Sequence, residues 1–154
     1  MADRLYTSSE ADEVLSALRF ETKLEKVTLA RIAFAISLIR NGASVSQSTN
    51  FSGSEMKRPT FIGEDEVFIR SLISYHYRKS EITEDELFSN KSIVKNHIDN
   101  GAELLGKLFQ ECGRDADILL RRLVEEVEFS GRREAFGQGI GIFIGRTLLK
   151  NAEI

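Results

Sequence analysis

The chain of 154 residues is poor in cysteine, proline and histidine. Its one cysteine, Cys112, excludes a disulfide framework or a cysteine-ligated cluster within a single chain, which fits a reducing cytoplasm. One proline is few for a chain with long loops, and this favours a mostly helical fold. His76 and His97 lack the further ligands at helical spacing that a metal site requires, so we expect no metal.

Long apolar runs and an excess of positive charge are also missing. No stretch reaches the roughly 18 apolar residues that span a bilayer, and the polar N-terminus lacks a signal-peptide core. We therefore expect a cytoplasmic protein without a membrane segment. The net charge is −3, whereas a monomeric DNA-binding domain usually has a basic balance. Any nucleic-acid surface would need locally clustered cations, built by an oligomer.

The sequence shows no set of residues typical of an active site. Cys112 has no catalytic signature around it, and each histidine lies beside apolar residues on a separate predicted helix, so we interpret all three as structural. The stretch "FGQGIGIFIGRTLLK" lacks the Lys-Ser or Lys-Thr of a P-loop and the spacing of a dinucleotide fingerprint. We expect a protein that is not an enzyme and has no cofactor.

The glycines of that stretch have a regular spacing. Gly137, Gly141 and Gly145 lie four residues apart, so on a helix they share one face. Small residues at this spacing let a second helix approach closely. Because each helical glycine costs about 1 kcal/mol relative to alanine, we predict that this face packs against another helix, within the chain or across subunits.

Two helices are predicted near the N-terminus. Ser8 or Ser9 caps a helix over residues 10–22. Thr28 caps a second, almost wholly apolar helix that ends at "Asn41-Gly42". A short helix that is apolar all round is buried on most sides. We therefore predict that Phe34 and Ile36 contribute to subunit packing as well as to the core.

The remaining chain is also predicted to be helical after a serine-rich loop. A third helix covers residues 64–79, and Thr83 begins a capping box. We predict a break or bend at Asn100-Gly101, a helix end at Cys112-Gly113, and a separation of the last two helices at Ser130-Gly131.

Several cations lie where they could bind phosphate. Arg19, Lys23 and Lys26 gather at the end of the first helix and the following turn, and Lys26 and Arg31 flank the start of the second. A helix N-terminus with nearby cations favours phosphate. The alternative is an ordinary solvated charged face.

A strand "Arg4-Leu5-Tyr6-Thr7" followed by two helices resembles a ribbon-helix-helix unit. Over residues 3–109, "RLYTSSEADEVLSALRFETKLEKVTLARIAFAISL" and the later "FIGEDEVFIRSLISYHY…HIDNGAELLGKL" resemble the DndE family of bacterial DNA phosphorothioation systems. The resemblance implies a small, helical, oligomeric and non-catalytic protein that binds DNA, with a preference for nicked duplex. It also implies sulfurtransferase-like and ATPase partner subunits, which replace a non-bridging phosphate oxygen by sulphur.

We predict a mainly α fold, a compact bundle of about five or six helices with at most one short N-terminal strand. A single domain over residues 1–154 would comprise a ribbon-helix-helix-like segment (3–42), a loop (43–60), a helical core (61–112) and a C-terminal helical pair (113–154).

Our first hypothesis is a homo-oligomeric, DNA-binding accessory subunit of a DNA phosphorothioation complex. Its candidate phosphate contacts are Arg4, Arg19, Lys23, Lys26, Arg31, Lys57 and Arg58. The alternatives are a ribbon-helix-helix transcriptional regulator, such as an antitoxin, and an assembly module that contacts only protein.

Overall fold

The structure is a computed structural model that describes residues 3–133 and 143–148, with the side chains of residues 3–126 and 143–148. Its α-helices are α1 (Ser9–Thr22), α2 (Lys26–Asn41), α3 (Arg58–Phe61), α4 (Glu66–Tyr77), α5 (Glu84–Leu87), α6 (Ile93–Glu111) and α7 (Ala116–Arg133). Residues 143–148 are helical too. The predicted mainly α fold is confirmed. The described helices outnumber the predicted five or six because α3 and α5 are single turns.

One small sheet joins the N-terminus to the middle of the chain. Strand β1 (Arg4–Tyr6) pairs antiparallel with β2 (Glu55–Lys57), with Leu5 opposite Met56. The prediction of at most one strand was wrong, because β2 lies within residues predicted as loop. The backbone N–H of Tyr6, on the other edge of β1, donates to the Asn90 side chain at 2.8 Å. A ribbon-helix-helix unit pairs this strand with a second chain, whereas here its partner comes from the same chain.

Helix α1 follows its sequence pattern closely. The Ser8 hydroxyl accepts a hydrogen bond from the Ala11 N–H at 3.0 Å, which satisfies one of the unpaired amides of the first turn. Leu15 and Leu18 continue the buried face. The helix ends at Lys23, which adopts the left-handed conformation with φ 65°.

Helix α2 lies at the centre of the fold and is buried from Thr28 to Leu38. It begins two residues before Thr28, which is therefore not its cap. Phe34 and Ile36 are 0% and 1% exposed, so this chain alone covers them. Their predicted role in subunit packing is withdrawn because no surface of theirs remains for a second subunit.

Helix α6 packs closely against α2 and runs without a break through Asn100 and Gly101. The predicted break was wrong. A Cβ at Gly101 would overlap the Ala33 carbonyl and lie 2.8 Å from the Ala33 Cα, so glycine is needed there for close helix packing. At Gly145 a Cβ would meet no described atom within 4 Å. Gly137 and Gly141 lie outside the described residues.

The serine-rich loop, residues 45–54, is held against α6 by a buried charge. Lys95 is fully buried, and its Nζ donates to the Asp99 carboxylate at 2.5 Å and to the Asn50 carbonyl at 2.8 Å. The Ser48 hydroxyl donates to the same carboxylate, also at 2.5 Å. A buried ion pair with its hydrogen bonds completed fixes the loop in one position.

The C-terminal part adds to the same core. Helix α7 continues past Ser130-Gly131, so the predicted separation at that point was wrong. Phe143 is 1% exposed and lies against Phe34 and Phe68, with ring centroids 6.0 and 6.2 Å apart. Within the described ranges, no helix is both long and apolar enough to cross a bilayer.

Candidate nucleic-acid interface

Two exposed groups of cations lie at opposite ends of α1. The first is on the outer face of the sheet, where Arg4 pairs across the ribbon with Lys57 and both side chains are exposed. Their strand neighbours Leu5 and Met56 point into the core, because side chains alternate along a strand. A guanidinium nitrogen of Arg4 lies 3.9 Å from Glu55, which partly offsets its charge.

The second group is at the C-terminal end of α1. Arg19 lies in the last turn of the helix and Lys23 is its C-terminal cap, and both are exposed. The negative end of the helix dipole favours cations there. Lys23 Nζ lies 5.1 Å from the centroid of the exposed Phe20 ring. Across the part of the chain with described side chains, neither cation has a carboxylate within ion-pair distance.

Lys26 is engaged inside the protein rather than presented to a ligand. Its Nζ donates to Asp12 at 2.5 Å and to the Ser54 hydroxyl at 2.8 Å. Burial alone would raise the pKa of Asp12, but the hydrogen bonds from Lys26 and Ser54 outweigh burial and lower that pKa. Lys26 thus ties α1, α2 and the residue before β2 together.

Arg31 lies in the core, with 5% of its side chain exposed. It donates to Asp65 at 2.6 Å, to the Thr147 hydroxyl at 3.0 Å and to the Phe61 carbonyl. Its guanidinium also lies 4.5 Å from the Phe143 ring centroid. Because every arm of the guanidinium is engaged, we remove Arg31 from the candidate DNA contacts.

Arg58 is likewise buried and paired. Its two terminal nitrogens each lie 2.5 Å from a carboxylate, one of Glu66 and one of Glu84. Arg70 bridges the same two acids. Hydrogen bonding by Arg58 is the main cause that lowers the pKa of Glu66. This network joins α3, α4 and α5, so Arg58 is also removed from the candidate contacts.

A chain of polar side chains crosses the core but offers no access to a substrate. The Ser37 hydroxyl lies 2.7 Å from His97 Nδ1, and His97 Nε2 lies 2.8 Å from the Tyr77 hydroxyl. Burial is the main cause that lowers the pKa of His97 to about 4, with His76 adding to the shift. Ser37 and His97 are fully buried, so this pair cannot reach a substrate in this conformation.

An open cleft of about 580 Å³ lies between the start of α1, the serine-rich loop and α6. Among the described residues that line it, Glu10, Asp99 and Glu103 are acidic and none is a lysine or an arginine. Such a cleft repels phosphate rather than binding it. Where side chains are described, no cluster of three or more metal-ligating residues occurs.

Sequence reasoning missed the two features that shape these surfaces. Lys95 carries no sequence signal of its buried position, because a lysine in a helical pattern is usually exposed. Phe20 carried a weak signal, since it falls outside the apolar stripe of α1 formed by Ala11, Leu15 and Leu18.

A family model described as DNA sulphur modification protein DndE matches residues 4–111. No curated protein and no solved structure matches the chain. The match covers both exposed cation groups and ends at the last residue of α6. Helix α7 and residues 143–148 lie beyond it.

Proposed function

Because the chain belongs to the DndE family of DNA sulphur modification proteins, we propose that it is a non-catalytic, homo-oligomeric accessory subunit that binds the DNA backbone. Arg19 and Lys23 form the principal contact, and Arg4 and Lys57 form a second one. The observation that carries this proposal is that Arg19 and Lys23 are exposed and have no carboxylate partner among the described side chains. Charged side chains that are already paired cannot also neutralise a phosphate.

Backbone contacts explain how a chain of net charge −3 binds a polyanion. Electrostatic attraction between exposed charges is screened beyond about 10 Å in ordinary buffer, so local clusters decide binding more than the total charge. Several copies in a homo-oligomer would repeat the two clusters along the duplex. Binding of this kind depends steeply on salt and has little sequence preference.

The test compares two double variants, each of which removes two positive charges from the C-terminal end of a helix. In Arg19→Ala/Lys23→Ala the charges are lost at the end of α1. In Arg78→Ala/Lys79→Ala they are lost at the end of α4, where Arg78 also adopts the left-handed conformation. Affinity for duplex DNA is measured by fluorescence anisotropy over a range of salt concentrations.

The α1 variant is expected to bind more weakly, with the slope of log K against log salt reduced by about 1.8, because each phosphate contact contributes about 0.9. The α4 variant is expected to retain the wild-type slope. Arg4→Ala/Lys57→Ala should reduce the slope by a smaller amount, since Glu55 already offsets Arg4. If the wild type, Arg19→Ala/Lys23→Ala and Arg4→Ala/Lys57→Ala all show the same slope, the assignment of these four cations to phosphate contacts is refuted.

The accessory role implies cytoplasmic partners of the same modification system. We propose a sulfurtransferase-like subunit and an ATPase, to be tested by co-purification of the tagged chain with each. Helix α4 offers a surface for them, because Val67 and Tyr75 are exposed and lie eight residues apart on one side. Stable partner binding without any DNA binding would favour the protein-only assembly module instead.

The ribbon-helix-helix regulator is the less supported alternative. Its recognition ribbon forms between two chains and enters the major groove. Here β2 of the same chain occupies one edge of β1, and Asn90 covers the Tyr6 amide on the other. Protection of a specific palindrome in a footprint would restore that alternative.

A further inference from the structure

The short helix of residues 143–148 docks on the rest of the chain with one face. Phe143, Ile144 and Thr147 are buried on that face, and the Arg146 side chain lies at its edge with about half of its surface exposed. Phe143, Arg146 and Thr147 lie at positions i, i+3 and i+4, which adjoin on a helix. These three side chains make specific contacts, whereas Ile144 contributes apolar area.

The surface beneath this segment is complementary to it. We call the surface the docking site, and it consists of two residues of α2, one residue before α4 and one residue of α4: Arg31, Phe34, Asp65 and Phe68. The Phe143 ring stacks on Phe68 with the two planes inclined by 18°, and its centroid lies 4.5 Å from the Arg31 guanidinium. The Thr147 hydroxyl accepts a hydrogen bond from Arg31 at 3.0 Å and donates to the Phe143 carbonyl at 2.8 Å.

Asp65 divides its two carboxylate oxygens between the body of the chain and the segment. One oxygen accepts a hydrogen bond from Arg31 at 2.6 Å, and the other lies 2.8 Å from a guanidinium nitrogen of Arg146. A surface that only needs to be covered can be wholly apolar. Charged and polar groups that pair across a contact instead fix its register and select what binds there.

This combination of contacts is typical of a site that binds a helix. Protein interfaces are enriched in aromatic and arginine anchors, and a helix in a groove is recognised through residues at i, i+3 and i+4. The family match over residues 4–111 includes every residue of the docking site and excludes the segment. The matched region therefore contains a site whose ligand comes from outside it.

We propose that residues 143–148 are a reversible, built-in ligand of the docking site, and that a partner protein binds there by displacing them. The partner carries a helix with phenylalanine, arginine and threonine at i, i+3 and i+4. A helical stretch this short is marginal in water by itself, so its order depends on docking, and such elements open locally without global unfolding. Partner binding here is independent of DNA binding, because none of the four cations proposed to contact phosphate belongs to the docking site.

A peptide of residues 140–150 labelled with fluorescein represents the partner helix. Its binding to the full chain and to three variants is measured by fluorescence anisotropy, after circular dichroism has shown that each variant is folded. Phe143→Ala removes the stacked ring, and Arg146→Glu places a carboxylate beside Asp65, so both variants release the attached segment. Gly145→Ala is the matched control, because no described atom lies within 4 Å of an added Cβ at that position.

The wild type should bind the peptide weakly, because the attached segment competes from a higher effective concentration. Phe143→Ala should bind it about tenfold more tightly or better, since loss of a buried aromatic ring strongly weakens docking of the attached segment. Arg146→Glu should bind it more tightly than the wild type by a smaller factor, and Gly145→Ala no more tightly than the wild type. If Phe143→Ala and Arg146→Glu are folded and bind the peptide no better than the wild type does, the inference is wrong.

Hydrogen exchange in the unchanged protein gives a second test, which does not depend on the folding of any variant. The amides of residues 144–148 should exchange faster than those of α2 and with a weaker dependence on urea, because release of the segment exposes less surface than global unfolding. Equal rates and equal urea dependence would show that the segment leaves only when the whole chain unfolds, and would overturn the inference.

Discussion

Gly101 is the position at which a single added methyl group should do the most damage to the fold. Helices α2 and α6 meet there, and an alanine Cβ would overlap the Ala33 carbonyl and lie 2.8 Å from the Ala33 Cα. The overlapping atoms are backbone atoms of a buried helix, so they cannot rotate away as a side chain could. The strain must be relieved by moving the two helices apart.

The magnitude follows from two opposing effects. Because carbon atoms pack at about 3.5–4.0 Å and the Ala33 carbonyl carbon lies closer than its Cα, relief requires the helices to separate by more than about 1 Å. Overpacking of this kind costs about 1–3 kcal/mol, and backbone overlap belongs at the upper end. Replacing glycine by alanine within a helix recovers about 1 kcal/mol. We expect Gly101→Ala to lower the free energy of unfolding by about 2 kcal/mol, so Tm falls by about 4–8 °C.

Two other helical glycines are matched controls. At Gly106 a Cβ would lie 3.2 Å from a methyl group of Val14, which can rotate, so Gly106→Ala should change Tm little. At Gly145 no described atom lies within 4 Å of an added Cβ, so Gly145→Ala should raise Tm slightly through its helix propensity. Thermal unfolding followed by circular dichroism ranks the three variants. A Tm of Gly101→Ala at or above the wild type would refute the close packing of α2 on α6.

Three further predictions concern buried ionisable side chains. The pKa of His97 is about 4 in the folded protein and about 6.5 in the unfolded chain, so the unfolded chain binds the proton first as the pH falls. The free energy of unfolding should therefore decrease by about 3 kcal/mol as the pH drops from 6.5 to 4. Urea unfolding at several pH values should show a smaller loss for His97→Gln. Asp65→Asn should lower the free energy of unfolding by about 3–5 kcal/mol, because it weakens the pairing of the buried Arg31 side chain. Arg146→Ala should lower it by less than about 1 kcal/mol, since Arg146 is 48% exposed and Arg31 still neutralises Asp65. Lys95→Met should speed amide hydrogen exchange throughout the serine-rich loop. Exchange rates equal to those of the wild type would contradict the conclusion that Lys95 holds the loop in place.

Local signals in the sequence were sufficient for the first helices. The Ser8 cap, the stripe of Leu15 and Leu18, and the stop at Gly42 were all confirmed. These features depend on residues within one or two turns of each other, so periodicity and capping chemistry predict them. The capping box that begins at Thr83 was confirmed for the same reason.

Features that depend on distant residues were not predictable in this way. Gly101 follows an asparagine, and locally that pair indicates a turn. Its requirement for glycine comes from Ala33, which is 68 positions away in the chain (101 − 33). The glycine spacing predicts the same close packing at Gly145, where no described atom lies within 4 Å of an added Cβ. A glycine pattern predicts that close packing is possible, but the location of the partner decides where it occurs.

The cations illustrate the same limit in electrostatic terms. Arg31 lies in a helix predicted to be buried on most sides and Arg19 near the end of another helix, but local sequence does not show which acceptors either side chain meets. Arg31 is buried because Asp65 and the Phe61 carbonyl lie opposite it, while Arg19 has no such neighbour among the described side chains. Buried charges are retained only when paired, so the partners, which lie elsewhere in the sequence, determine which cation is buried and which stays exposed.

Residues beyond the family match complete the packing of that central region. Phe143 covers Phe34, and the Thr147 hydroxyl accepts a hydrogen bond from Arg31, although the family match ends at residue 111. A chain that ended there would expose the Phe34 ring and leave the Arg31 guanidinium with one fewer acceptor. The end of the sequence match therefore does not mark the end of the folding unit. Since Arg31 and Asp65 lie within the match and Thr147 lies outside it, the C-terminal segment helps to stabilise the buried ion pair in the core of the matched part.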